Sequence, residues 1–199
     1  MRIVELILDD DQMAEGISAI SIVESPAIES NFIALKNHAV QFATVDTDKR
    51  ILMGPALIPN KPIYRNQDGE EFYVYFSKAT IEKASQLYLK NGNQSKATLE
   101  HEISINGLTL VESWLKIDEQ HDKSAAYGLN DPVGTWYVAM KVDNAEIWDE
   151  YVKTGKVKGF SIEGFFADKS TVMNRHENKL EQLKNLLNQY AKENNKGWF

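Results

Sequence analysis

Proline places the tightest limit on what this chain can fold into. Four of its five prolines, Pro26, Pro55, Pro59 and Pro62, fall within the first 62 residues, among short runs of β-branched and aromatic side chains. Each removes a backbone donor and breaks any helix that would span it, so this first third of the chain must be built from short extended pieces. The pattern predicts a strand over Arg2–Leu8 and two extended pieces in Gly16–Leu35, turning at Pro26. Further strands are predicted over Val40–Val45, Arg50–Ile58 and Glu71–Phe76. Pro55 inside the Arg50–Ile58 run predicts a sheet edge or a bulge. Lys96–Ile105, Leu108–Ile117, Thr135–Val142 and Val157–Phe166 also have strand composition.

Two helices interrupt these strands. Ser77 is placed to cap a helix over Lys78–Lys90, which ends before Gly92, and Asp143 with Glu146 has capping-box spacing for Asn144–Lys153. The segment from Met173 differs in kind. Met173, His176, Leu180, Leu183, Leu187 and Tyr190 recur at alternating spacings of 3 and 4, the a/d stripe of a helix that packs against an apolar surface. That surface is either the chain's own body or a partner, and self-association or binding to a scaffold partner is the expected role. The expected organisation is an arm over 1–36, a β-rich body over 37–172 and an amphipathic helix over 173–199.

Composition narrows the function. Without cysteine, disulfides, thiolate zinc sites and a cysteine nucleophile are excluded. Met1–Asp11 carries a short apolar patch closed by Asp9, Asp10 and Asp11, not the basic start and longer apolar run of a signal peptide, and no run is long enough to span a membrane. A cytoplasmic setting is therefore expected. The net charge of −7 divides into −9 on residues 1–172 and +2 on 173–199, and an acidic body repels phosphate backbones, so nucleic acid is not expected as a partner. Metal and phosphate motifs are missing: there is no His-Glu-x-x-His, and Gly155-Lys156 lacks the rest of a phosphate loop. No cofactor is expected.

Nucleophile and base candidates are few. His38 and His121 sit in polar surroundings and His176 in the tail stripe, where packing or partner contact explains it. On an unbroken strand, His101 shares the apolar face of Ala97, Leu99, Ile103 and Ile105, while Glu100 and Glu102 face the other way. In Lys158–Phe166, Gly159 and Gly164 flank Ser161 and leave the backbone around its hydroxyl uncrowded, as a substrate would need. A satisfied core histidine and an incidental serine fit these patterns as well as a catalytic pair.

At these residues the chain resembles the phage prohead maturation proteases of the XkdF-like branch, related in fold to the herpesvirus assembly proteases. The resemblance runs through Ala19-Ile20-Ser21-Ile22-Val23, Pro26-Ala27-Ile28-Glu29 and Leu52-Met53-Gly54-Pro55-Ala56-Leu57-Ile58-Pro59. It continues in Glu100-His101-Glu102, Val111-Glu112-Ser113-Trp114, Gly134-Thr135-Trp136 and the Ser161 strand. It implies an α+β fold, a β-rich barrel of that protease type with flanking helices and a C-terminal helical tail. It also implies a serine endopeptidase that trims capsid and scaffold proteins, and itself, inside assembling proheads in the cytoplasm of a bacterial host. Ser161 would be the nucleophile and His101 the general base.

The third member of the triad does not transfer by position: the stretch beyond the nucleophile strand offers Asp168, His176, Glu177 and Glu181 at the edge of or within the tail helix. Ile105-Asn106-Gly107-Leu108 is the strongest hairpin signal in the chain. A two-residue turn there would set Glu112 opposite His101 on one face, able to orient the imidazole. Asp168, Glu177 or a water are the alternatives. Two rival readings stand beside this one: a scaffold protein of the same fold that cuts nothing, and a Ser–Lys dyad using Lys158 or Lys156.

Overall fold

A computed structural model describes residues 2–9, 16–25, 33–35, 49–67 and 69–194. The turn at Pro26, the strand over Val40–Val45 and His38 lie outside them. The strands are β1 (Arg2–Ile7), β2 (Gly16–Val23), β3 (Ile33–Leu35), β4 (Ile51–Leu57), β5 (Ile63–Gln67) and β6 (Glu70–Phe76). After helix α1 (Lys78–Lys90) come β7 (Ala97–Leu99), β8 (Ile103–Ile105) and β9 (Leu108–Leu115). A short helix α2 (Lys123–Ala126) leads to β10 (Trp136–Val142). Helix α3 (Ala145–Ile147) runs on as a π-turn over Trp148–Val152, followed by β11 (Gly159–Phe165), β12 (Ala167–Asp168) and α4 (Lys169–Asn194).

The strands form three four-stranded sheets, ordered β12-β1-β6-β5, β3-β4-β10-β9 and β11-β2-β7-β8. The fold is mixed α+β, but the expected barrel does not close among the described residues. Each sheet ends in two edge strands, because the chain passes between sheets where a barrel would continue one ladder. One core joins the inner faces: Ile20, Ile22, Leu52, Leu57, Ile81, Tyr88, Trp136 and Phe160 are all buried in it. No helix among the described residues is long and apolar enough to cross a membrane.

Local chemistry explains most elements. Ser77 caps α1, its Oγ accepting from the Thr80 N–H at 3.4 Å. Pro55 sits in an inner strand, tolerated because the ladder shifts there: Trp136 pairs with Leu57 and Tyr137 with Pro55, leaving Ala56 as a bulge. The second helix starts one residue later than its capping-box spacing suggests. Asn144, not Asp143, is the cap, accepting from the Ile147 N–H at 3.1 Å.

Two expectations fail between residues 96 and 112, with clear causes. Lys96–Ile105 is not one strand. It folds back after Leu99, which pairs with Ile103, and Glu100 and His101 form the turn, both left-handed at φ 52° and 62°. His101 is therefore on an exposed turn, not on an inward apolar face. Nor does Asn106-Gly107 make a hairpin. β8 pairs with β7 and β9 with β10, so this turn carries the chain from one sheet to another. The Gly107 carbonyl accepts the Asp143 N–H at 2.7 Å, and a Cβ on Gly107 would stand 3.0 Å from the Asn144 backbone nitrogen.

Candidate active site

Sheet β11-β2-β7-β8 brings Ser161 and His101 to one face. Ser161 pairs with Ser21, Ser21 with Thr98 and Thr98 with Ser104, a row of four hydroxyl residues across the sheet. Partners in a ladder share a face, and so do alternate residues of one strand. Glu163, two residues beyond Ser161 and opposite Ala19, therefore projects on the Ser161 side. The small Ala19 leaves its carboxylate room to reach across β2, where it accepts from the Thr98 hydroxyl.

That same carboxylate holds His101. Glu163 Oε1 lies 3.1 Å from His101 Nδ1. A carboxylate can only accept, so in the neutral ring the proton sits on Nδ1 and Nε2 is the acceptor. The turn carrying the imidazole is tied to β2 and the residue after it at three points. The His101 N–H donates to Ser21 Oγ at 3.1 Å, the Glu100 N–H to the Ile22 carbonyl at 3.1 Å, and the Glu24 N–H to Glu100 Oε1 at 2.6 Å. Ser21 is fully buried and its hydroxyl also donates to the Thr98 carbonyl at 3.3 Å. Among the described residues, no hydrogen bond joins Ser161 to His101. Such bonds are often long or absent before substrate binds.

The other carboxylates proposed for the third role are engaged elsewhere. Glu112 pairs with Ala139, and a bulge at Val111 turns it away from the face of Leu108 and Leu110. Its carboxylate forms an ion pair with Lys123. It does not orient His101, since the hairpin that would have set it there does not form. Asp168 caps α4, accepting from the Ser170 N–H at 2.8 Å, and the Ser170 hydroxyl holds its carboxyl below the usual carboxylate range. Glu177 is exposed on α4. Of the lysines, Lys158 faces Glu24 at 3.7 Å and Lys156 lies over the Tyr151 ring.

Gly164 has a different task from the one its position suggested. A Cβ there would collide with the Gly16 carbonyl oxygen, so this glycine admits the β2 backbone rather than a substrate. Open space lies elsewhere along β11. A cavity of about 370 Å³ is bounded by Ser161, Ile162 and Gly164 on one side, by Ala56 and Leu57 of β4, and by Arg65, Phe72 and Phe76. Among the described residues, no group of His, Asp and Glu side chains is placed to hold a metal ion.

Glu163 is the residue that sequence reasoning passed over. The signal was present: in Ser161-Ile162-Glu163, period-two alternation puts the carboxylate on the same face as the hydroxyl.

Residues 39–170 match the family described as "Putative phage serine protease XkdF". No curated protein and no solved structure matches the chain.

Proposed function

Because the chain belongs to the XkdF family of phage serine proteases, we propose that it is a serine endopeptidase in which Ser161 attacks, His101 acts as general base and Glu163 orients His101. The observation that carries this reading is the Glu163–His101 contact at 3.1 Å, on the face and strand from which Ser161 projects. Nε2 takes the Ser161 proton as Oγ bonds to the scissile carbonyl carbon. The protonated imidazole then delivers that proton to the leaving amine, and water repeats the sequence to release the acyl group. Glu163 keeps the imidazole in the required tautomer and stabilises its charged form.

The substrate enters as an extended chain. β11 is an edge strand, and the cavity beside it borders Ser161. A peptide laid along that edge would gain main-chain hydrogen bonds and send a side chain into the cavity. The substrates proposed are capsid and scaffold proteins, and the chain itself, cut inside assembling proheads in the cytoplasm of a bacterial host.

Co-expression with the neighbouring capsid protein tests this, with products read by mass spectrometry. Wild type yields trimmed capsid protein, while Ser161→Ala and His101→Ala yield none although both stay folded. The double variant loses little more than either single one, because the pair acts as a unit. Substantial trimming by Ser161→Ala would remove the assignment.

A further inference from the structure

Strand β5 places a charge where its own alternation calls for an apolar side chain. Ile63 pairs with Val74 and Arg65 with Phe72, so these residues share one face of sheet β12-β1-β6-β5, while Tyr64 and Tyr73 share the other. Ile63 and Val74 are buried in the core. Arg65 takes the next position on that inward face. It lines the cavity that Ser161 borders, and among the described residues it is the one charged side chain that does.

The guanidinium is only partly engaged. It donates to the Tyr64 carbonyl at 3.0 Å, and among the described residues no carboxylate pairs with it. Arg65 stays accessible to solvent, yet desolvation lowers the pKa of its guanidinium, as suits a cation at the mouth of an apolar cavity.

We propose that Arg65 selects an acidic side chain in the substrate, on the first or second residue to the amino side of the scissile bond. This rests on the reading of Ser161 as nucleophile. A peptide laid along the β11 edge alternates its side chains between the two faces of the sheet. The residue opposite Ser161 shares the face of its hydroxyl, and the residues on either side of it point to the face of Ile162, which lines the cavity. Whichever residue of the scissile bond lies opposite Ser161, one flanking residue is the first or second on the amino side. The apolar walls suit the methylenes of glutamate, and the planar guanidinium can grip its carboxylate through two parallel hydrogen bonds. A glutamine of the same shape leaves the charge unmatched.

Dipeptidyl diphenyl phosphonates, blocked at the amino end, test this on the full chain. Ser161 attacks the phosphorus and phenoxide leaves, so the adduct mass reports the labelling rate. Four probes carry glutamate or glutamine in either position. Wild type should take up one glutamate probe at least about 10-fold faster than its glutamine twin. Arg65→Ala should bring that ratio near one while labelling with a simple fluorophosphonate as fast as wild type. Arg65→Lys, which keeps the charge without the fork, should fall between. Equal rates for the twins in wild type, or a ratio that survives Arg65→Ala, would overturn the proposal and leave Arg65 as a charge guarding a sheet edge. Wild type that takes up fluorophosphonate but no dipeptidyl probe would overturn the acidic preference alone. Wild type that takes up neither would fail at Ser161 itself, and the proposal would fall with the reading beneath it.

Discussion

The turns at the two ends of β8 differ in composition, in conformation and in what holds them. The turn before β8 has no glycine, yet Glu100 and His101 both adopt left-handed φ and it closes a hairpin. The turn after β8 has Asn106-Gly107, with Gly107 at φ 79°, and joins two different sheets. Left-handed backbone costs about 1–2 kcal/mol for each non-glycine residue. Three hydrogen bonds to β2 and to Glu24 just beyond it, each worth about 0.5–1.5 kcal/mol net, offset it. Gly107 has no such penalty and is needed because the start of α3 passes close by. Strain is thus held where the candidate base sits and avoided where the chain merely changes sheet. Such placement is common at catalytic positions.

The largest expected effect separates two carboxylates. Glu163→Gln should lower the cleavage rate about 10²–10⁴-fold, because it removes the group that fixes the His101 tautomer. Glu112→Gln, which only loses an exposed ion pair with Lys123, should leave the rate within about two-fold. Equal losses in progress curves for the two variants would break the distinction between the turns.

Gly107→Ala comes next. The added Cβ meets the Asn144 backbone in an already left-handed conformation, so stability should fall by about 1–3 kcal/mol in urea titrations. A loss below about 0.5 kcal/mol would show that the turn relaxes freely. Ser21→Ala should cost about 1 kcal/mol, since the His101 N–H loses a buried acceptor. Its activity should fall further than its stability, with Ser21→Thr restoring part of both. His101→Gly is the smallest in stability: the melting temperature should hold or rise slightly as left-handed strain is relieved, even though cleavage is lost. A clear drop in melting temperature would mean that the imidazole is structural.

The same segments show what the sequence could reveal. Helix α1, with its Ser77 cap, and the strands Trp136–Val142 and Gly159–Phe165 follow from local pattern, and so does the long helix over the tail stripe. Ser161 and His101 are legible through the resemblance together with strand patterning. The His101 turn was illegible because Leu99-Glu100-His101-Glu102 contains no turn-forming residue, and only contacts to a strand some 80 positions earlier hold it left-handed. The Asn-Gly signal was read correctly as a turn but not as a hairpin, since pairing partners are decided by tertiary packing. β5 was missed because Tyr64-Arg65-Asn66 is polar and exposed. Glu163 was legible in principle by alternation. Its role depends on the His101 turn, which brings the imidazole back over β2 to this carboxylate and is not legible in the sequence.

The central claim is that Ser161 is activated through His101 by Glu163. Fluorophosphonate labelling, followed by intact-mass spectrometry, tests it most directly and needs no known substrate. Wild type and Glu112→Gln should take up one label, mapped to Ser161, at similar rates. Glu163→Gln should label at least about 10²-fold more slowly, and His101→Ala and Ser161→Ala not at all. A wild-type protein that takes up no label would leave the non-cutting scaffold as the better reading. A Glu163→Gln protein that labels as fast as wild type would contradict the role assigned to Glu163.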